Sequence, residues 1–158
     1  MLLLEHRLES KKGKDMVKEF CLAWEKNKGK LEEYFRTTKQ NEYGGYEDLV
    51  KLLFDIIINP SIESDYDRFD TKNIVVIDDG DYQGTLVFVL HRNKYQPSVE
   101  DYVYTNTCYG SCSYCDTLQS ICSYEYGLPD EQQVEDYMSL CLHLLQRCNF
   151  MVDKIEED

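Results

Sequence analysis

The sequence predicts an α+β domain in which a small, mainly antiparallel sheet of at least three strands is packed by N-terminal helices and a long C-terminal helix. Two observations predict it. Apolar residues recur every three or four positions across 15–58 and again across 128–152, and between 74 and 108 the period shortens to two. The order of these stretches, helices then strands then helices, favours a segregated arrangement over an alternating parallel one. With 158 residues the chain suits one core, so it reads as a single domain over 1–158 with frayed ends at 1–14 and 153–158.

The first helix is expected over 15–35, where Val17, Phe20, Trp24, Leu31 and Tyr34 mark an inward stripe and the lysines a solvated face. Gly29 is its weak point. A second helix follows the Gly44-Gly45 break and spans 46–58, with Leu49, Val50, Leu53, Phe54 and Ile57 as its buried stripe. Asn59-Pro60 ends it. An acidic loop over 61–70 leads to the first strand at 74–77.

Asp78-Asp-Gly-Asp81 then separates two β-branched runs, a hairpin signal. In the strand 85–90, Leu86, Phe88 and Leu90 alternate with Val87 and Val89. Both sets are apolar, so this strand is expected to be central and covered on both faces. A third strand, over 101–107, puts Tyr102, Tyr104, Asn106 and Cys108 on one face and Val103, Thr105 and Thr107 on the other. Gly110 to Ser113 turns the chain into a short helix at 114–124, with Ser113 and Asp116 as its capping pair. The last helix opens at Leu128-Pro-Asp-Glu131 and carries the stripe Val134, Tyr137, Met138, Cys141, Leu144, Leu145, Cys148, Met151 and Val152 over five turns.

The chain carries 30 acidic and 17 basic residues, a formal net charge of −13. Residues 1–40 are net +3 and residues 41–158 net −16. Such a balance repels nucleic-acid phosphate and anionic lipid, which argues against direct nucleic-acid binding; it is read first as a solvated acidic surface, with an acidic face complementary to a basic protein partner as the sharper alternative. Membrane insertion is not expected, because the run Leu52 to Ile58 is interrupted by Asp55 and no segment approaches the roughly 20 apolar residues of a span. The 13 tyrosines suit half-buried faces and contact surfaces at once.

Seven cysteines cannot all pair within one chain, and Met1-Leu-Leu-Leu4 is followed at once by Glu5, His6 and Arg7, too short an apolar run for export. A reducing, cytosolic compartment is expected. Cys21, Cys141 and Cys148 are accordingly expected as small buried hydrophobes, and no obligatory disulfide is expected.

The chemistry-bearing stretch is Cys108-Tyr-Gly-Ser-Cys112-Ser-Tyr-Cys115-Asp116. Two readings of it stand side by side. In one, Gly110, Ser111, Cys112, Ser113 and Asp116 form a ligand-binding turn at the mouth of a helix, where a thiol such as Cys112 would have a lowered pKa. In the other, the turn is a tight connection whose serines cap the helix and whose Cys115 packs inward. Metal binding by Cys108, Cys112 and Cys115 is a weaker alternative. Zinc would need a fourth ligand, with Cys122 or His143 the convenient candidates.

The three-thiol spacing is also similar to the cluster-binding signature of radical S-adenosylmethionine enzymes, which would imply an iron–sulfur cofactor. Too few residues follow Cys115 to build the barrel those enzymes need, so no cofactor is expected. Asp78, Asp79 and Asp81 offer three carboxylates to a calcium or magnesium ion, but without the ligand spacing of a known loop. His6, His91 and His143 stand apart from any candidate nucleophile, and no catalytic residue is assigned.

The run from Asp78 to Val89, Tyr95-Gln-Pro97 and Tyr109-Gly-Ser-Cys-Ser-Tyr-Cys-Asp-Thr-Leu-Gln119 together resemble an uncharacterised family of small proteins encoded by bacteriophages and other large DNA viruses. The resemblance covers 78–119 and, more loosely, the flanking helices, including Val134-Glu-Asp-Tyr-Met138. It implies viral origin, hence the host cytoplasm or the virion as the location, and a reusable α+β domain, and no activity. In the members it resembles, the thiol corresponding to Cys108 is commonly absent, which would undercut a three-thiol cluster.

The expected function is that of a non-enzymatic, virus-encoded interaction or structural accessory protein, a particle component or a factor that binds a host or viral protein. A ligand-binding or thiol-dependent enzyme module using the turn 110–116, and an acidic mimic of nucleic acid, are the alternatives. An exposed apolar patch would favour the first, a pocket at the turn the second, and carboxylates lining one face the third.

Overall fold

The structure is a computed structural model of the chain. It describes the backbone of residues 2–41, 44–112, 114–122 and 127–151, and the side chains of 17–41, 44–112, 114–121 and 127–151. Helix α1 (Leu2–Thr37) is followed by α2 (Tyr46–Leu52), strands β1 (Val75–Asp78), β2 (Gly84–His91) and β3 (Tyr102–Tyr109), helices α3 (Thr117–Cys122) and α4 (Glu131–Gln146), and strand β4 (Asn149–Phe150). The fold is α+β, as expected: a four-stranded sheet in the order β1-β2-β3-β4, every pair antiparallel, with helices against one face.

Helix α1 starts at Leu2 and passes unbroken through Gly29, so it is longer than the expected 15–35. Leu, Glu, Lys and Arg dominate its first fourteen positions, all good helix formers, and one glycine among them does not stop propagation. Its buried stripe is Phe20, Ala23, Trp24, Asn27, Leu31 and Phe35. Val17 is exposed and Tyr34 packs only at the margin, so two of the expected inward residues are corrected. The core meets α1 from Phe20 onward, and the 3.6-residue period then selects Phe35 over its neighbour. Cys21 is exposed as well, against its expected burial, because it lies between the inward positions Phe20 and Ala23.

Helix α2 buries Leu49, Val50, Leu53, Phe54 and Ile57 as its spacing predicts. Beyond Leu52 it widens into a π-helical stretch (Leu53–Ile58) and closes in a 3₁₀ turn (Asn59–Ser61) that contains Pro60. Changes of helical pitch disturb the backbone hydrogen-bond ladder there. The buried amide of Asn27 answers by donating to the Ile57 carbonyl at 2.8 Å and to Ser61 Oγ at 3.0 Å. Asn59 clamps the following loop by exchanging two hydrogen bonds with the backbone of Phe69, at 3.0 and 2.9 Å. That places Phe69 in an edge-to-face cluster with Phe20 and Phe54.

The hairpin β1/β2 pairs Val75 with Val89 and Ile77 with Val87. Its turn is tight: a Cβ on Gly80 would lie 2.0 Å from the Gln83 carbonyl oxygen, so only glycine fits. Asp78 accepts from the Gly80 N–H and from the Tyr109 hydroxyl, and Asp79 from the Thr85 N–H, so these exposed carboxylates brace the turn while still facing solvent. Strand β3 alternates as predicted, Val103, Thr105 and Thr107 facing inward, and the buried Thr105 hydroxyl donates to the Leu144 carbonyl of α4 at 2.6 Å.

Coverage of β2 on both faces is corrected. Phe88 and Leu90 are buried, but Val87 and Val89 are only half-buried and their β1 partners are exposed. The buried residues of the helices share one core with Phe88, Leu90 and Val103, and among the described residues no second layer matches it on the sheet's other side.

Helix α4 begins with a reciprocal capping box, Asp130 accepting from the Gln133 N–H and Gln133 accepting from the Asp130 N–H, each at 2.8 Å. Val134, Tyr137, Leu140, Cys141, Leu144 and Leu145 are buried, and Tyr137 stacks on Phe35 of α1 at 4.9 Å between ring centroids. The helix ends at Gln146, short of the expected five turns. Asn149 bonds the Arg147 carbonyl, a local competitor of helical pairing, and Phe150 becomes a buried strand residue opposite Val103. Val152 and residues 153–158 lie outside the described residues.

Candidate functional site

Two places in the fold hold residues that the core does not consume: the turn after β3 and the open face of the sheet. Gly110 ends β3 in a crowded position. A Cβ there would sit 2.6 Å from the Cys115 carbonyl oxygen and 2.7 Å from Cys115 Sγ, so glycine alone lets the turn fold back on the strand. The Cys112 carbonyl accepts from the N–H groups of Cys115 and Asp116 at 3.1 and 2.9 Å, one helical turn that ends before α3 starts.

Asp116 is the hub beneath this turn. It is buried, its Oδ2 accepts from the Gly110 N–H at 2.8 Å, and its Oδ1 accepts from the Gln119 N–H and the Tyr46 hydroxyl, each at 3.0 Å. Asp116 is therefore the N-cap of α3, and the helix begins at Thr117, not at the expected 114, because its first donors point at this carboxylate; the expected pairing with Ser113 lies outside the described residues. Tyr46 accepts in turn from the Leu118 N–H at 3.2 Å, and burial pushes its hydroxyl up to about 12. The Gly110 N–H that an anion would use is thus already engaged by the chain's own carboxylate. Ser113 and the side chain of Cys122 lie outside the described residues.

Cys115 does not pack inward. Cys112 and Cys115 are both exposed, with their sulfurs 3.3 Å apart. Cys115 Sγ also accepts from the Cys112 N–H at 3.4 Å and lies 3.7 Å from Ser111 Oγ. Hydrogen bonds from Cys112 and Ser111 stabilise its thiolate and bring its pKa down to about 7. Burial does the opposite to Cys141 and Cys148, pushing both to about 12.

Cys108 stands apart, on the outer face of β3 beside Thr85, with its sulfur 4.0 Å from Thr85 Oγ1. His143 is an exposed residue of α4. Among the described residues no group of three or more Cys, His, Asp or Glu could hold a metal. A cavity of about 300 Å³ lies elsewhere, between the end of α1 and α2, lined by Tyr34, Lys39, Asp48, Lys51, Leu118 and Tyr137 among others. No described residue from 110 to 116 lines it. Among the described residues no helix is long and apolar enough to cross a membrane.

The open face of the sheet follows from the strand register. Val75 and Ile77 of β1, Val87 and Val89 of β2, and Tyr102 and Tyr104 of β3 share it. Val75 is 56% exposed and Ile77 54%, and β1 is an edge strand paired on one side only. Sequence reasoning assigned Val87 and Val89 to a buried layer. It also missed Tyr46 and Gln119 as partners of Asp116, and it missed the Cys112/Cys115 pair by reading three thiols at once. For the pair the signal was present in the C-x-x-C spacing. For Tyr46, 70 residues from Asp116, the sequence offered none.

The chain was compared with family models, with curated proteins and with solved structures, and it matches none of them.

Proposed function

We propose that the protein is an interaction module, virus-encoded and non-enzymatic, whose contact surface is the open face of the sheet together with the β1 edge. The observation that carries this reading is the exposure of Val75 and Ile77 on an unpaired edge strand, continuous with half-buried Val87 and Val89. A folded chain gains nothing from apolar side chains left in water, and contiguous patches of this kind mark contact sites. The unpaired backbone of β1 adds a row of hydrogen-bonding groups along the same edge.

The partner that fits is a protein segment in extended conformation, apolar at alternate positions and flanked by Lys or Arg. Alternation matches the pleat, and strand addition supplies main-chain bonds. The basic flanks meet Asp78, Asp79 and Asp81 at the end of β1, within a chain of net charge −13. In the viral setting that the resemblance implies, such a partner belongs to the host cytoplasm or to the particle. The same net charge weighs against nucleic acid as the direct partner.

The test compares tagged wild-type protein with a Val75→Lys/Ile77→Lys variant, each purified from the cells in which the protein is naturally made. Proteins that accompany the wild type and are lost from the variant support the reading, provided the two share one circular-dichroism spectrum. Identical co-purifying sets overturn it. Sedimentation over a range of concentrations identifies the remaining occupant: a wild-type dimer that the variant abolishes replaces the foreign segment with a second copy of the chain.

A further inference from the structure

We propose that Cys112 and Cys115 form a redox-active dithiol that exchanges with accessible disulfides. The proposal is independent of the sheet surface and rests on the geometry of the turn. Two exposed sulfurs lie 3.3 Å apart, in contact but unbonded, and a side-chain rotation brings them to the roughly 2.05 Å of a disulfide. The backbone holds them there: Gly110 lies against Cys115, the Cys112 carbonyl closes the turn on Cys115 and Asp116, and buried Asp116 fastens that turn to β3 and to Tyr46. Among the described residues no third ligand joins the pair.

The two thiols have different roles. Cys115 accepts the Cys112 N–H and lies within reach of the Ser111 hydroxyl, so it is the thiolate, and it is the attacking group. Its pKa near 7 also suits attack, since a thiol titrating close to ambient pH combines a useful thiolate fraction with retained nucleophilicity. Cys112 is the resolving thiol.

In the exchange, Cys115 Sγ donates an electron pair to one sulfur of a disulfide R–S–S–R′. The S–S bond breaks, and R′–S⁻ leaves and takes a proton from water. Cys115 is left in a mixed disulfide with R–S. Cys112 then gives its proton to water and attacks Cys115 Sγ, and R–S⁻ leaves with the bonding pair. The external disulfide has gained two electrons and two protons, becoming two thiols, and the 112–115 pair has been oxidised to one intramolecular disulfide. Run backwards, the same steps oxidise an external dithiol.

The test uses the full chain, freed of metal with a chelator and kept anaerobic. It is equilibrated with mixtures of oxidised and reduced glutathione, quenched in acid, alkylated and mapped by mass spectrometry. The expected result is a single two-electron transition located at 112–115, while Cys21 and Cys108 stay alkylatable. Cys112→Ser is expected to trap a mixed disulfide on Cys115, and Cys115→Ser to react at least about tenfold more slowly. Alkylation of Cys115 should rise through about pH 7, while buried Cys141 and Cys148 stay unreactive in the folded chain.

A parallel arm replaces glutathione with insulin, which separates a small-molecule disulfide from a protein one by which oxidises the pair faster. If neither oxidises it, or if the disulfide forms at other cysteines, the assignment fails. It also fails if the untreated protein takes up one zinc per two chains and Cys112→Ser abolishes the uptake, since the pair would then be half of a metal site between copies.

Discussion

The two faces of the sheet are built from the same strands, and nearly the same residue types, yet they have opposite fates. Phe88 and Leu90 are sealed under the helices, while Val87 and Val89, one residue away, are half-buried and lead out to exposed Val75 and Ile77. Apolar composition therefore does not decide burial here. What decides it is which side α1 and α4 occupy, and that is set by the stripes Phe20 to Phe35 and Val134 to Leu145 on the helices themselves. A sheet with one helical layer keeps one dry face, and the other is free to evolve toward contact.

This contrast can be broken by substitution. The largest effect is expected at Phe88→Ala, about 3–5 kcal/mol, because its ring is enclosed and its removal leaves a cavity. Leu144→Ala, on the helix facing it, should cost about 2–5 kcal/mol for the same reason. Urea titration followed by circular dichroism measures both, and a loss below about 1 kcal/mol at either site would mean that the dry face has been misplaced. Thr105→Val sharpens the comparison, since it nearly keeps the shape and removes the hydroxyl that donates to the Leu144 carbonyl and bonds the Cys148 thiol, with an expected cost of about 1–2 kcal/mol. The smallest effects belong to the open face: Val75→Thr and Ile77→Thr should stay within about 0.5 kcal/mol of wild type. A substantial loss there would show that something covers β1 in solution, and it would count against the contact-surface reading.

Periodicity made most of this architecture legible. The stripe of α2, the alternation of β3, the glycine-dependent hairpin turn and the start of α4 near Glu131 each follow from contacts within a few residues, the range over which sequence patterns report; the Asp130 cap itself was not read from the sequence. The open face was not legible, because Val87 and Val89 look alike whether a layer covers them or not. The end of α4 was misjudged for a related reason: Cys148 and Met151 continue the helical spacing, but Phe150 is claimed by Val103 across the sheet, a partner 47 positions away. At the turn after β3, the small residues and the thiols were visible. The carboxylate that organises them was taken as an accessory of Ser113, because its links to Tyr46 and Gly110 exist only once the chain has folded.

The unprotected β1 edge also governs how the molecules behave in a crowd. It has neither lysine nor proline, two of the usual guards against strand-to-strand association, so its shortness, Asp78 and the chain's net negative charge are what oppose pairing between copies. Screening shortens that repulsion to roughly 8 Å at physiological salt and roughly 3 Å at 1 M. Colloidal stability should therefore be greatest in dilute salt at neutral pH and fall as the solution approaches the isoelectric point near 4.6. Concentrated salt or mild acid would convert an open edge into a seed for precipitation while every fold-determining contact remained in place.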